Sequence, residues 1–588
     1  MDVVPATRHS AWRPLQGRQA GMVMGSIMLT LLLEALDQTV VGTAMPRIIV
    51  TLRGFDRYTW AVTSYILAST IMLPIAGKLS DLFGRKPFLL GGTAIFLVGS
   101  LLCGAAQTID QLIVFRTVQG LGAGIGISLV FASVVDVFAD EERARWQGIL
   151  GSVYGIASVI GPALGGWLSE YGPSLRPLVT DGARWRWVFF VNLPLGILAL
   201  IALLLWYPGG GTARIRLNTG ESMARRVDIT GSVLIAAATI SLLIGLTWVG
   251  EGSGMWGSIQ VQATLGLATL LGVLFILTER RSPEPVLTCD LFRNCMFAAN
   301  AALTFFLWMA LFGMSFYVPL FLQGVLRVSP TTAGLIMTPF SLSIVLGNAL
   351  AGEVIARTKR YQGVAVTGAS CMTVGIALLS RMTPSIPLPS VALCAVVTGF
   401  GMGILFTATS VVVQTVLPPT QIGEGFGVVR YLGQIGGLLG LALVGTVVSV
   451  SLVGELHRQL PPVVTRQLAA EGVRFSAAPQ VLVSPTFRHS ALQRIVGAAA
   501  AHIQPGPHHA AHLAAAIAQE TALLNHALAA LRLSLALAIR QGLLTALLFC
   551  IGALLVALVM TRIPATNESV GGPDASTSSK RHTLSLRH

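Results

Sequence analysis

The sequence predicts an all-α membrane protein in which two similar six-helix halves flank two further helices. An apolar composition, fourteen apolar segments and an internal repeat support this prediction. Hydrophobic residues make up 53% of the 588 residues and charged residues 11%, whereas a soluble protein carries roughly 25% charged residues. This composition excludes a soluble enzyme, a nucleic-acid-binding protein and a disordered scaffold. The net charge of +14 comes from basic residues at the ends of apolar segments.

A membrane-spanning helix needs about 20 mostly apolar residues, and fourteen segments meet that requirement. They are expected near residues 20–43, 60–78, 88–106, 111–135, 148–169, 187–207, 229–249, 259–278, 297–322, 332–355, 363–381, 387–412, 427–452 and 539–562. An even number places both termini on one side. The excess of Lys and Arg in the segments on that side predicts cytoplasmic termini in a plasma or inner membrane. Arg47, Arg53 and Arg57 oppose the bias locally, in the first outer loop.

An internal repeat relates two parts of the chain. Residues 76–86 are echoed by 351–360 at an offset of 275 (Gly77 to Gly352), and residues 119–125 by 398–404 at an offset of 279 (Gly120 to Gly399). Parallel six-helix repeats are a recognised transporter plan. Spans two and four then correspond to spans ten and twelve, so spans seven and eight are inserted between the halves.

The predicted organisation has four parts and one long outer loop. The parts are a first six-helix half (1–207), two inserted helices with flanking loops (208–296), a second half (297–562) and a disordered cytoplasmic tail (563–588), with the outer loop at 453–538. Within this loop, the Ala- and Leu-rich residues 510–540 are expected to be helical. We interpret the loop's histidines as surface residues and expect no metal ion or other cofactor.

The glycine-rich residues 119–126 look like a dinucleotide-binding fingerprint but lack its strand and βαβ context. In an apolar helix they predict a packing face.

Four local motifs resemble those of the major facilitator superfamily, specifically its fourteen-span drug:proton antiporter branch. They are the loop between spans two and three with Gly77, Asp81, Gly84, Arg85 and Lys86; span five with Gly151, Gly155, Gly161, Pro162, Gly165 and Gly166; the end of span one, residues 36–48; and residues 116–120 of span four. The resemblance implies the major facilitator fold, a proton gradient in place of a cofactor, and an exporter, which the span-five motif marks in that family.

Charged residues inside membrane spans are costly and often mark ion or substrate pathways. Glu34 and Asp37 are three residues apart in span one, so both are expected to face one cavity. Arg116 in span four lies at a similar depth and is a reachable partner for Asp37. A carboxylate there can hold a proton or a cation, and competition between the two would couple exchange. The alternatives are a structural ion pair for Asp37 and Arg116, and a polar contact for Glu34.

The loop after span two is interpreted as a cytoplasmic gate. Arg85 follows Asp81 by four residues, and Asp136 at the inner end of span four is a reachable partner for Arg85. Gly77 and Gly84 permit close approach to neighbouring helices. We expect this gate to hold an outward-open state and to break when the halves rock. The alternative is a simple positive-inside anchor.

These observations favour a proton-coupled antiporter that exports lipophilic or cationic small molecules by alternating access and acts as a monomer in the bilayer. No catalytic residues are expected. Two alternatives remain, a lipid or amphiphile exporter of the same fold and a non-transporting membrane sensor or scaffold. The absence of acidic residues in the middle of spans nine to thirteen argues against divalent cationic substrates.

Overall fold

The structure of the chain, a computed structural model, describes residues 17–52, 58–174, 179, 181–208, 228–250, 256–282, 285, 287, 289–328, 330–460, 493 and 509–563. The predicted tail after residue 563 lies outside the described residues, as do Arg53, Arg57 and the histidines at 489, 502 and 508.

Among the described residues, fourteen helices are long and apolar enough to cross a membrane, which confirms the predicted number of spans. The helices are α1 (Gly17–Leu52), α2 (Tyr58–Phe83), α3 (Arg85–Ala105), α4 (Ile109–Ala132), α5 (Asp140–Tyr171), α6 (Asn192–Trp206), α7 (Ile229–Gly250), α8 (Ile259–Glu279), α9 (Cys295–Leu320), α10 (Pro330–Thr358), α11 (Tyr361–Leu379), α12 (Leu388–Val416), α13 (Ile422–Gln459) and α14 (His509–Arg562). Short helical turns at 181–186 and 187–190 lead into α6.

Helix α4 packs closely against α2 and α3, and α12 packs in the same way against α10 and α11. In each helix, three glycines lie so close to backbone atoms of a neighbouring helix that a Cβ would collide with them. The glycines are Gly120, Gly122 and Gly124 in α4, and Gly399, Gly401 and Gly403 in α12. The glycine-rich segment is therefore a packing face, and the repeat seen in the sequence corresponds to equivalent contacts.

The halves meet through two equivalent helix pairs, α2 with α13 and α5 with α10. Gly77 of α2 contacts the backbone of Gly423 in α13. At the repeat-related position, Gly352 of α10 contacts the backbone of α5 at Ala144 and Gly148. Small residues allow these backbones to approach closely, which is how helices associate where lipid supplies no hydrophobic drive.

Helices α7 and α8 are adjacent, and α7 packs against α2 and α13 where the halves meet. The Thr239 hydroxyl of α7 lies 2.7 Å from the Tyr431 hydroxyl of α13. Before α8, Trp256 Nε1 donates to Thr446 Oγ1 of α13 at 2.7 Å. An apolar cluster of Leu73, Ile235 and Phe275 joins α2, α7 and α8. The inserted helices thus cover one seam between the halves.

Both ends of the predicted outer loop 453–538 are helical. Helix α13 continues to Gln459, and α14 begins at His509 and runs unbroken for 54 residues. At 1.5 Å per residue, α14 is roughly 81 Å long, more than twice the roughly 30 Å hydrocarbon core. The helix expected at 510–540 is confirmed, but it continues directly into the last span because Gly542 packs against Val444 and Val448 without interrupting α14.

The first span, Gly17–Gly42, agrees with the prediction, but its helix extends beyond it and shortens the predicted first outer loop. Helix α1 continues to Leu52, so Arg47 lies on a helix rather than in a loop. Its guanidinium is 3.3 Å from the Glu170 carboxylate of α5 and donates to the Ser169 carbonyl oxygen at 2.9 Å. These bonds stabilise Arg47 at the end of α1, although most Lys and Arg residues are expected on the other side of the membrane.

The glycine face of α4 gives a direct test of the packing. Gly122→Leu is expected to destabilise the protein by about 1–3 kcal/mol or more, since overpacking forces backbones apart. Thermal unfolding in detergent measures the effect. Gly91→Leu in α3, where a Cβ meets nothing within 4 Å, is the matched control. Equal stability of the two variants would contradict the packing face.

Candidate functional site

A buried polar cluster joins α1, α4 and α6 around Asp37, which is 0% exposed. Arg116 Nη1 donates to Asp37 Oδ2 at 2.8 Å. Gln119 Nε2 and Asn192 Nδ2 both donate to Asp37 Oδ1, at 2.8 and 2.7 Å. Three donors, one of them a cation, satisfy the carboxylate, as a buried charge requires. The pairing expected between Asp37 and Arg116 is present.

The cluster extends beyond its central ion pair. Arg116 Nη1 also donates to Gln119 Oε1 at 2.9 Å, and its guanidinium lies 4.1 Å from the centre of the Tyr65 ring. Asn192 Nδ2 also donates to Ser100 Oγ of α3 at 2.9 Å. Sequence reasoning missed Asn192 and Gln119. A single Asn at the start of an otherwise apolar span was the available signal, because polar groups inside membrane spans are costly and functional.

Glu34 is also buried, with 1% of its surface exposed. Within the described part of the chain, neither carboxylate oxygen has a hydrogen-bond partner. The carboxyl group fills the space that a Cβ would occupy at Gly126 of α4. An ionised carboxylate without a partner is costly to bury, so this site suits the protonated group.

A cavity of about 360 Å³ lies between the halves. Aromatic side chains form much of its wall: Tyr65, Phe131, Tyr154, Trp308, Phe312, Phe340 and Phe406. Polar groups are interspersed among them, including Gln38, which accepts a hydrogen bond from the Tyr154 hydroxyl at 2.8 Å. An apolar cavity with a few polar groups is typical of a small-molecule site.

The expectation that Glu34 and Asp37 face one cavity was wrong for this conformation. Neither carboxylate lines the cavity, whereas Arg116 does. Asp37 lies behind Arg116 because its ion pair and two further hydrogen bonds hold it between α1, α4 and α6. Direct competition between a proton and a cation at Asp37 therefore has no geometric basis here.

Arg430 is a cavity residue that sequence reasoning assigned elsewhere. From the sequence alone, its place one turn inside the end of its span allows it to pair with Glu424 or to reach toward the membrane surface. Instead it lines the cavity, with its guanidinium 4.2 Å from the centre of the Phe131 ring. Glu424 pairs with Lys78 at 3.4 Å. Tertiary packing decides this choice, because α13 turns Arg430 toward the opposite half.

At one end of the bundle, Asp81 of α2 caps the first turn of α13 in the other half. Its carboxylate accepts hydrogen bonds from the backbone N–H groups of Gly423 at 3.2 Å and Glu424 at 2.8 Å. Gln421, the residue before α13, makes no side-chain cap. A carboxylate at a helix N-terminus satisfies free N–H groups and complements the helix dipole. Asp81 therefore connects the two halves.

Arg85 holds Asp81 in position. Its guanidinium is 3.3 Å from Asp81 Oδ1 and 2.9 Å from Asp136 Oδ1. Tyr207 donates to Asp136 Oδ2 at 3.0 Å. Burial, and then the Asp136 carboxylate, raise the pKa of the Tyr207 phenol well above its usual range, so Tyr207 remains a donor. The predicted trio of Asp81, Arg85 and Asp136 is thus brought together.

The remaining loop residues fix the ends of neighbouring helices. Lys86 Nζ donates to the carbonyl oxygens of Leu204 and Tyr207, at 2.9 and 2.7 Å, at the end of α6. Gly84 has a φ of +92°, which favours glycine at the sharp turn between α2 and α3. On the repeat-related side, Arg145 of α5 lies 3.4 Å from Glu353 of α10.

Three of the glycines predicted for the antiporter motif of helix α5 make close contacts with other helices. Gly151 contacts Asn348 and Gly155 contacts Val345, both in α10, and Gly161 contacts Thr39 in α1. A Cβ at Gly166 would meet nothing within 4 Å, so Gly166 makes no comparable close contact. Gly165 is buried, and the Pro162 side chain lies outside the described residues.

Comparison with known proteins agrees with this geometry. Residues 27–441 match the family model described as Major Facilitator Superfamily. The chain is 32% identical over 501 residues to "Multidrug transporter protein MdtP" of Bacillus subtilis (strain 168), covering 83% of this chain and 88% of that protein. It is 32% identical over 427 residues to "Multidrug resistance protein 3" of the same organism, covering 72% and 79%.

A solved structure shares the fold at low sequence identity. The human organic anion transporter MFSD10 (TETRAN) aligns with a TM-score of 0.52 and 17% identity, covering 74% of this chain and 94% of that chain.

If the Asp81 cap holds this end of the bundle closed, substitutions of Asp81 should open it to an extent that depends on the hydrogen bonds they remove. Asp81→Ala is expected to raise the ratio of open to closed protein roughly twofold to thirtyfold, because loss of a helix cap costs about 0.5–2 kcal/mol. Asp81→Asn should have a smaller effect, since Asn still accepts the backbone hydrogen bonds. Distances between spin labels at the exposed positions 87 and 358 measure the ratio.

Glu455→Gln, at the far end of α13, is the control for charge loss. Its partner Arg458 is exposed and lies 3.0 Å away. Unchanged label distances in Asp81→Ala would refute the cap as a link between the halves.

Because the Glu34 carboxyl group lies against Gly126, we expect a larger residue at position 126 to lower transport. A methyl group at residue 126 would displace the Glu34 carboxyl group, so Gly126→Ala is expected to lower transport at least about tenfold if Glu34 carries protons. The loss should not add to that of Glu34→Gln, because both changes act on one carboxyl group. Gly25→Ala in α1, where a Cβ meets nothing within 4 Å, is the control. Additive losses would show that Gly126 acts independently of Glu34.

Proposed function

This chain belongs to the major facilitator superfamily, and we propose that it is a proton-coupled antiporter that exports small lipophilic molecules from the cytoplasm. The names of two relatives at 32% identity support multidrug export. The observation that carries the proposal is a largely apolar cavity with several aromatic side chains, beside a buried ion pair and at the interface of two repeated halves. The protein is multi-pass, and we place it in the plasma or inner membrane.

Transport proceeds by alternating access, in which the two halves rock about the central cavity. With both termini in the cytoplasm, the end closed by Asp81 faces the cytoplasm. The closed Asp81–α13 contact then corresponds to an outward-facing state. Breaking this contact on the inner side would admit substrate, and its re-formation would commit the substrate to the outside.

Protons are carried by Asp37, with Glu34 assisting. Protonation of Asp37 removes the charge that Arg116 neutralises, so the ion pair weakens together with the charge-assisted hydrogen bonds from Gln119 and Asn192. These donors come from α4 and α6, whereas Asp37 belongs to α1. A proton therefore changes how three helices of the first half are held together.

Arg116 transmits this change to the cavity. Its guanidinium contacts Asp37 on one side and lines the cavity over Tyr65 on the other. When Asp37 is neutral, Arg116 no longer has an acidic partner there. The cavity and the proton site are thus coupled through one side chain, without sharing a ligand.

The proposal predicts loss of proton-driven efflux when Asp37 can no longer ionise. Asp37→Asn is expected to reduce efflux driven by a pH gradient to background, because Asn cannot exchange a proton. Efflux of a lipophilic dye from energised vesicles, together with proton movement reported by an internal pH dye, measures this. Full efflux in a folded Asp37→Asn protein would refute the assignment.

The variant leaves Arg116 as a buried charge without its counterion, which typically costs 3–5 kcal/mol. The double variant Asp37→Asn with Arg116→Gln removes both charges and keeps the protein testable if the single variant unfolds. It is expected to bind dye in detergent but not to move it with a pH gradient.

A further inference from the structure

The cavity contains an unbalanced positive charge. Two arginines, Arg116 and Arg430, are among the residues that line it, and no Asp or Glu is among them. Asp37 neutralises Arg116 at 2.8 Å. Within the described part of the chain, no carboxylate lies within ion-pair distance of Arg430, and no side-chain or backbone acceptor takes a hydrogen bond from it. The net charge of the cavity is therefore about one positive charge, carried by Arg430.

Arg430 is held where a ligand can reach it. Its guanidinium stacks on Phe131 of the opposite half, 4.2 Å from the ring centre, which fixes the plane of the group and leaves its N–H donors free at the edge. A guanidinium presents several donors in a plane that matches a carboxylate or sulfonate. A buried cation without a counterion is costly, so an anion entering the cavity gains a partner that the protein does not supply.

The other side chains that line the cavity suit a ligand with an apolar aromatic body. The Trp308 ring lies 5.7 Å from the ring centres of both Phe312 and Phe406, and these side chains come from the half opposite Phe131. The distances are typical of interacting aromatic pairs. A ligand with a planar apolar body and one acidic group would satisfy both the aromatic surfaces and Arg430.

We propose that the central cavity selects organic anions, namely aromatic amphiphiles with a carboxylate or sulfonate, and that Arg430 binds the acidic group. This inference rests on the proposed export function and specifies its substrate class. It replaces the cationic class that the sequence favoured, because a cation in this cavity would face Arg430 without an acidic partner.

The charges that move are consistent with coupling to an inside-negative membrane. A proton that enters brings positive charge into the cell, and an anion that leaves removes negative charge from it. Both movements make the inside more positive. The membrane potential therefore drives both movements. Coupling then depends on the helix contacts around Asp37 and not on a carboxylate shared by proton and substrate.

Two probes with one aromatic frame provide the test. N-phenyl-1-naphthylamine is neutral, and 8-anilinonaphthalene-1-sulfonate carries an added sulfonate on the same skeleton. Both fluoresce in apolar sites, so saturable binding to the purified full chain can be measured against vesicles without protein. The variants are Arg430→Gln, Arg430→Lys and, as a matched loss of charge on the same helix, Arg458→Gln. Arg458 is 77% exposed at the side chain.

Arg430→Gln is expected to weaken sulfonate binding at least about tenfold and to leave binding of the neutral probe within about twofold. Loss of a charge-assisted hydrogen bond in a desolvated site commonly exceeds a factor of ten. Arg430→Lys should retain part of the sulfonate affinity, and Arg458→Gln should match the unaltered protein. Retained binding of the neutral probe shows that each variant is folded.

Equal weakening of both probes by an Arg430→Gln protein whose thermal unfolding matches that of the unaltered protein, or stronger binding of the neutral probe than of the sulfonate by the unaltered protein, would overturn the proposed anion selectivity. Transport separates this failure from failure of the export function. If vesicles under a pH gradient move the neutral probe but exclude the sulfonate, export stands and the anion class is wrong. If neither probe moves, the export function fails, and the substrate inference fails with it.

Discussion

A charge removed from water must find a partner, and this constraint organises the first half of the protein. Asp37 is fully buried and satisfies its carboxylate with Arg116, Gln119 and Asn192. These donors fix α4 and α6 relative to α1, and Asn192 extends the connection to α3. Because the low dielectric makes any unpaired member costly, the cluster responds as a unit. A single proton on Asp37 can therefore affect several helices.

Close contacts at glycines pack the helices of each half together, and the Asp37 cluster acts on helices packed in this way. Helices α4 and α12 lie at equivalent places in the two halves and approach their neighbours through equivalent glycines. Lipid offers no hydrophobic drive for helix association, so stability depends on close backbone contact. Polar links across the described interface between the halves include the Asp81 cap on α13 and the Lys78–Glu424 pair. Rigid halves joined by a small number of polar bonds suit a rocking motion.

Helix α13 connects the features that matter for transport. Its first turn receives Asp81, its next turns carry Arg430 into the cavity, and Tyr431 contacts α7 at the seam. The cavity charge and the contact made by Asp81 therefore lie within two turns of one helix. Occupation of Arg430 by an anion would act on the same helix that the gate holds.

The number of spans, the repeat that relates the two halves, the α4 packing face and the charged trio of Asp81, Arg85 and Asp136 could all be predicted from the sequence. Apolar segment length and glycine spacing are local properties of the chain, and Arg85 follows Asp81 by only four residues, across the turn at Gly84. Three features could not be predicted in this way: Asp37 lies behind Arg116, Arg430 turns into the cavity and not toward Glu424, and α13 and α14 extend into the predicted outer loop. These outcomes depend on which helices meet and at what depth, and side chains distant in sequence compete for the same partner. The spacing of residues along the chain does not show which side chain obtains the partner. The charge of the cavity can therefore be seen only in the folded structure, where both halves contribute to its wall.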